Sequence, residues 1–150
     1  MSASVVPACE LCAGDGGEVL WRHPAFRVVL VDEADYPGFC RVICHAHVKE
    51  MTDLAPAQRT LLANAVWAVE AAQREVMQPE KVNLATLGNM TPHVHWHVIP
   101  RFTDDRHFPS PVWAEPRRAA DEASLAARRA LLPQLREAVR RHLDAAGLTA

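Results

Sequence analysis

The stretch His93-Val94-His95-Trp96-His97-Val98-Ile99-Pro100 decides how this chain is read. Side chains of a strand alternate between faces, so a period of two puts all three imidazoles on one side and Val94, Trp96 and Val98 on the other. The segment is expected to be a strand with one buried face and one histidine row. Neutral imidazole serves both as a ligand for first-row metals and as a nucleophile or general base near neutral pH, and the spacing admits both. As ligands, the histidines would hold a catalytic Zn²⁺ that activates water. As a nucleophile, one ring would attack phosphorus while its neighbours fix its tautomer and stabilise the charge that develops.

Working outward, Val82 to Leu87 reads as a further strand, and Gly88-Asn89-Met90-Thr91-Pro92 as the turn that joins it to the histidine strand. Upstream, Glu18 to Arg22, the β-branched run Phe26 to Val31 and the run Phe39 to Cys44 read as three more strands, the last two as hairpin partners across Pro37-Gly38. Between them and Val82 the period changes. Leu62, Val66, Val69, Ala72 and Val76 recur at three- and four-residue intervals, which predicts an amphipathic helix from about Pro56 to Met77, with Pro56 in its first turn and Pro79 past its end. Five strands with hairpin-length connections and one long helix predict an α+β fold: a mainly antiparallel five-stranded sheet with the helix packed on it. Residues 102–118, with Pro109, Pro111 and Pro116, read as an irregular surface segment. Leu125, Leu131, Leu132, Leu135, Val139 and Leu143 predict a C-terminal helix or helix pair, with Pro133 as a break or first-turn residue. Residues 1–118 are therefore assigned to the sheet domain and 119–150 to a helical extension of the same domain.

A chain of 150 residues, 49% hydrophobic and 23% charged, supports one compact domain and argues against disorder. Sixteen Lys and Arg against 18 Asp and Glu leave a charge of -2, so no basic surplus draws the protein to nucleic acid or to anionic lipid. The opening Met1 to Pro7 has no basic or long apolar region, and no apolar stretch reaches membrane length, so a cytoplasmic protein is expected. In a reducing compartment the four cysteines point to metal binding or free thiols rather than disulfides. Cys9-Glu10-Leu11-Cys12 has the spacing of a metal chelate and also of a redox pair, although a redox pair normally opens a helix after a βαβ-type strand. Cys40 and Cys44 fall on one side of an apolar strand and are expected to be buried thiols, which leaves a rival metal set of Cys44 with His45 disfavoured because adjacent residues face opposite ways.

The seven residues from His93 to Ile99 match the pattern His-φ-His-φ-His-φ-φ, where φ is hydrophobic, and so resemble the histidine triad (HIT) family of nucleotide hydrolases and transferases. The resemblance covers roughly residues 9–113: Val42-Ile43-Cys44-His45-Ala46-His47-Val48 is similar to the family's strand and following histidine, and Asn83 stands at about the usual distance before the triad. It implies a nucleotide substrate, a homodimer, and His95 as the nucleophile that attacks an α-phosphorus, with His97 beside the phosphate or leaving group. It also implies that Asn83 positions the ribose or phosphate side, and that Asp32, rather than Asp35, recognises ribose hydroxyls. Where many members carry a Gly-Gly-Gln type turn, this chain has Gly88 with Asn89 and Thr91, which would supply a tight turn and donors to phosphate oxygens. Similarity to the zinc-binding, diadenosine polyphosphate hydrolase-like branch implies that Cys9, Cys12, His47 and His93 form a closed structural zinc site. Trp96 is expected in the core and Trp113 near a substrate. The substrate classes implied are dinucleoside polyphosphates and nucleoside phosphoramidates, and the rival readings are a low-turnover nucleotide sensor and a metal-dependent hydrolase that uses the triad as ligands.

Overall fold

The computed structural model describes residues 5–149; Met1 to Ser4, part of the opening Met1 to Pro7 read above, and Ala150 lie outside it. A one-turn helix α1 (Glu10–Ala13) precedes strands β1 (Glu18–His23), β2 (Phe26–Leu30) and β3 (Cys40–Cys44), the long helix α2 (Pro56–Met77), strands β4 (Lys81–Ala85) and β5 (His95–Arg101), and helices α3 (Glu122–Arg129) and α4 (Leu132–Ala145). The fold is α+β, and every strand pair is antiparallel in the order β1-β2-β3-β5-β4. The chain leaves β3, crosses through α2 to the edge strand β4, and returns as β5 between them. The histidine strand thus lies inside the sheet, hydrogen-bonded on both sides.

Helix α2 starts and stops where the sequence predicts, with Pro56 in its first turn and the Gln58 side chain accepting from the Ala55 N–H. Its apolar stripe packs on the sheet face formed by Val28, Leu30, Cys40, Val42, Cys44 and Val98, and both thiols are buried there. Gln73, on the same stripe, is fully buried and donates to the carbonyls of Gly38 and Val98, both at 2.9 Å. This amide pins the helix over the β3–β5 seam, a role its polar character hid in the sequence.

The C-terminal segment is more than a tail. Leu135, Val139 and Leu143 of α4 are fully buried in the same core as α2. Full burial of each such side chain contributes about 1.5–3 kcal/mol, so the sheet's helical layer needs α4 as well as α2. The Trp21 indole N–H donates to the Leu148 carbonyl at 2.7 Å and fixes the chain end to β1. β5 also begins two residues later than its alternation suggests: His93 donates its N–H back to Thr91 in a turn after Pro92 and precedes the strand. Val94 still exchanges hydrogen bonds with Val48 and Cys44, which keeps His93 aligned with the strand beyond it.

Candidate functional site

The face opposite α2 carries the histidines His95 and His97. Pairing across the sheet sets Val19, Val29, Arg41, His97 and Ala85 in one row, with Ile43 and His95 in the next. His95 and His97 are 8% and 6% exposed, with ring centroids 5.0 Å apart. Trp96 turns to the other face and packs on the core. His97 is bounded by two aromatic rings, Phe39 at 5.7 Å and the half-exposed Trp113 at 5.2 Å. Burial, with the neighbouring His95 ring and the Arg41 guanidinium, pushes the His97 pKa down to about 4, so the ring is neutral at pH 7.

His95 Nδ1 lies 2.6 Å from the His93 carbonyl oxygen. A carbonyl only accepts, so Nδ1 carries the proton and Nε2 keeps its lone pair. The same reasoning fixes His93: its Nε2 lies 2.7 Å from the Cys44 carbonyl and therefore bears the proton, which leaves the Nδ1 lone pair facing the cysteines. Burial holds the His93 pKa below its usual value, and His47 and Arg27 add to that, against the opposing effect of the Cys44 carbonyl.

Helix α1 wraps Cys9 and Cys12 around that lone pair. Cys9 stands at its N-terminus and Cys12 one turn on, so both thiols face the same way, although the sequence reading contained no helix here. His93 Nδ1 is 3.6 Å from Cys9 Sγ and 3.5 Å from Cys12 Sγ, and His47 Nδ1 is 3.4 Å from Cys12 Sγ. All four ligand atoms lie within 4.8 Å of one another. A tetrahedral ion with Zn–S of about 2.3 Å and Zn–N of about 2.0 Å sets its ligands about 3.5 Å apart, so the donor set fits a metal of that size. Cys44 and His45 do not join it: Cys44 is buried in the α2 face and His45 is exposed. Arg27, buried at 8% exposure, secures the loop from behind by donating to the carbonyls of Leu11, Gly14 and Asp15 at 2.8–2.9 Å.

The remaining site residues sort differently. Asn83 lies on the triad face opposite Ile99, and its Oδ1 accepts from Arg101 at 2.7 Å. Gly88 adopts a φ of +95°, the left-handed conformation that glycine tolerates. The Thr91 hydroxyl is turned to Glu10 at 2.9 Å, on the cysteine side, and among the described residues no hydrogen bond joins Gly88, Asn89 or Thr91 to His95 or His97. Gly88 and Asn89 line a depression with Lys49 and Glu50. Asp32 lines another cleft, with Arg129 and Arg136, which no triad histidine enters, and Asp35 pairs with Arg106 at 3.0 Å.

Three groups escaped the sequence reading. Arg41 shares the row of His97, with its guanidinium carbon 5.7 Å from the Phe39 ring centroid. Arg27 holds the cysteine loop. Arg101, the last residue of β5, forms a buried ion pair at 2.8 Å with Asp105, which lies in what reads as a Pro-rich surface segment. All three arginines sit in strands, and counting in twos from His97 to Arg101, or along β2 and β3, places each on the triad face.

A family model for the HIT domain matches residues 16–104, and the chain belongs to that family. The match implies nucleotide hydrolase or transferase chemistry in general terms. Among solved structures, a histidine triad protein of Bradyrhizobium japonicum is similar at 27% identity and a TM-score of 0.67, covering 85% of this chain and 91% of that one. A histidine triad protein of Marinobacter aquaeolei VT8 is similar at 26% identity and a TM-score of 0.65, covering 83% and 92%. A Zn-bound histidine triad family protein of Mycobacterium smegmatis, at 25% identity and a TM-score of 0.57, covers 87% and 97%. No curated protein matches. Among the described residues no helix is long and apolar enough to cross a membrane.

Proposed function

We propose that this protein transfers or hydrolyses the nucleotidyl group of a purine nucleotide conjugate, a dinucleoside polyphosphate or nucleoside phosphoramidate, through a covalent intermediate on His95. The observation that carries this reading is the 2.6 Å contact of His95 Nδ1 with the His93 carbonyl, which leaves Nε2 as a free nucleophile. The Nε2 lone pair forms a bond to the α-phosphorus while the bond to the leaving group breaks and its electron pair departs with that group. The positive charge that develops on the ring is stabilised through Nδ1–H by the same carbonyl. Water then attacks phosphorus, the P–N bond breaks, and the imidazole returns. Neutral His97, with its ring 5.0 Å from that of His95, supplies an N–H to a phosphoryl oxygen. Trp113 bounds the ligand on the open side.

Zinc at Cys9, Cys12, His47 and His93 would be structural, because four protein ligands leave no position for water. It would hold His93, and through the His93 carbonyl the tautomer of His95. The alternative of a triad chelate is disfavoured because both nitrogens of His93 face other partners. Asn89 and Thr91 would reach phosphate only after the loop rearranges on binding. Asp32 reaches a ribose only if its loop moves toward the triad. A homodimer in the cytoplasm completes the reading, and sedimentation equilibrium tests the dimer.

The test is a neutral-pH quench during turnover of a radiolabelled AMP conjugate. Adenylate should be trapped on wild-type protein, and His95→Asn should abolish both trapping and hydrolysis. Undiminished hydrolysis by His95→Asn would overturn the covalent mechanism, and AMP binding without turnover would favour a sensor.

A further inference from the structure

Asn83 has a polarity that the rest of the fold dictates. A guanidinium has only donors, so the Asn83 atom that meets Arg101 Nη1 at 2.7 Å is the carbonyl oxygen, and the amide nitrogen is the other arm. Arg101 cannot turn away. It is 2% exposed, its Nε and Nη2 donate to the two Asp105 oxygens at 2.8 and 3.1 Å, and Nη2 also donates to the Ser110 carbonyl at 2.7 Å. Asp105 is fixed in turn by the backbone N–H groups of Phe102, His107 and Phe108 at 3.1, 3.0 and 2.7 Å. Asn83 pairs with Ile99, so along β5 it stands between Arg101 on one side and His97 on the other. With Oδ1 held by Arg101, Nδ2 is the free arm of a side chain on the triad face, and it has no hydrogen-bond partner among the described residues.

We propose that Arg101 is a positioning residue: it holds Asn83 as an obligate hydrogen-bond donor on the triad face, so the ligand group met there is a proton-free acceptor, a phosphoryl oxygen. The identity of that acceptor rests on the nucleotide reading above, whereas the orientation of the amide does not. The segment after β5 is then part of the site at one remove, since it builds the carboxylate that aims the guanidinium.

Asn83→Asp separates the two parts. It keeps the shape, gives Arg101 a carboxylate oxygen in place of Oδ1, and turns the second oxygen, now an acceptor with negative charge, toward the ligand. The melting temperature should be unchanged or higher, and AMP affinity by calorimetry should fall about tenfold or more, because like charges then face each other. Affinity for adenosine, which lacks the phosphate, should stay within about twofold of wild type. A clear fall in melting temperature would overturn the fixed orientation. An AMP affinity equal to wild type would overturn the donor role. Failure of wild-type protein to bind AMP at all would overturn the nucleotide reading, and the phosphoryl assignment with it, while the melting temperature still decides the orientation. Arg101→Lys, which keeps a charged donor, should retain more AMP affinity than Arg101→Gln, which lets the amide turn over; equal losses in both would remove Arg101 from the positioning role. If neither folds, Asn83→Asp carries the test alone.

Discussion

The two ends of the histidine strand are fixed by opposite means. Just before its start, His93 faces soft donors on partly exposed elements: two thiols, at the N-cap and within a one-turn helix, and one imidazole after β3. At the finish, Arg101 is held by hard charge inside the protein, with a carboxylate that is itself saturated by backbone N–H groups. The first arrangement sets four donor atoms within 4.8 Å of one another, a group that could hold a metal ion. The second is complete as the chain folds. Between them His95 and His97 belong to a strand held at both ends in length and register, which is what the proposed nucleophile, confined to one tautomer, would require.

The strongest way to break this contrast is at the charged end. Asp105→Ala strands the Arg101 guanidinium in a buried site and orphans three N–H groups, so unfolding free energy should drop by about 3–5 kcal/mol in urea titration. Burial by itself would raise the Asp105 pKa, but the Arg101 contact and the Phe102 and His107 N–H groups outweigh it and hold it below the usual carboxylate range. The stabilisation is therefore present above that range and is lost as pH falls through the lowered value. A loss under about 1 kcal/mol would show that the pair is not the brace described here.

At the metal end the effect should depend on supply. Purified protein should hold about one zinc per chain by elemental analysis, and Cys9→Ser should hold much less. With free zinc about a hundredfold above its dissociation constant, binding adds about 2.7 kcal/mol, which a chelator should remove from wild type and not from Cys9→Ser. Equal zinc in both proteins would dismiss the site.

A smaller effect sharpens the same end. Arg27→Met removes the donors to Leu11, Gly14 and Asp15 but leaves all four ligands, so the fold should survive while zinc affinity, measured by competition with a chelating dye, falls about 10- to 100-fold. Burial lowers the Arg27 pKa below the usual guanidinium value, against the opposing effect of Asp15. Unchanged zinc affinity would reduce Arg27 to a general support.

The contrast also explains what could be read from the sequence. Of the four donors that meet around His93, residue type and spacing announced only the Cys9–Cys12 pair, and the addition of His47 and His93 came from the resemblance to the family's zinc-binding branch; the triad was legible because three imidazoles at period two are rare on any other account. Helix α2 was legible from its stripe and its flanking prolines. The charged end was not, since Arg101 and Asp105 look like solvated residues when the segment around them is rich in Pro and polar groups, and burial of a charge is a tertiary fact. α1 was missed because one turn is too short to show a period. The start of β5 was misplaced because alternation continues through His93 while the backbone is still turning after Pro92.

The smallest expected effect lies between the two ends, at His97, and shows only in acid. An unfolded chain titrates this ring near pH 6.5, whereas the folded protein, through burial first and then through His95 and Arg41, keeps it neutral down to about 4. Below 6.5 the unfolded state binds the proton that the folded state refuses, so stability falls as pH drops through that window and is unaffected above it. At pH 5 the difference should be roughly 1–2 kcal/mol. His97→Gln removes the titration and keeps much of the volume, so its stability relative to wild type should improve by that amount between pH 7.5 and pH 5, whatever its absolute level. Acid release of a metal at the other site would lower both proteins alike and cancel in the comparison. If urea denaturation gives parallel curves for the two proteins across this range, His97 is not held neutral by the fold, and its N–H cannot be the uncharged donor that the mechanism assigns to it.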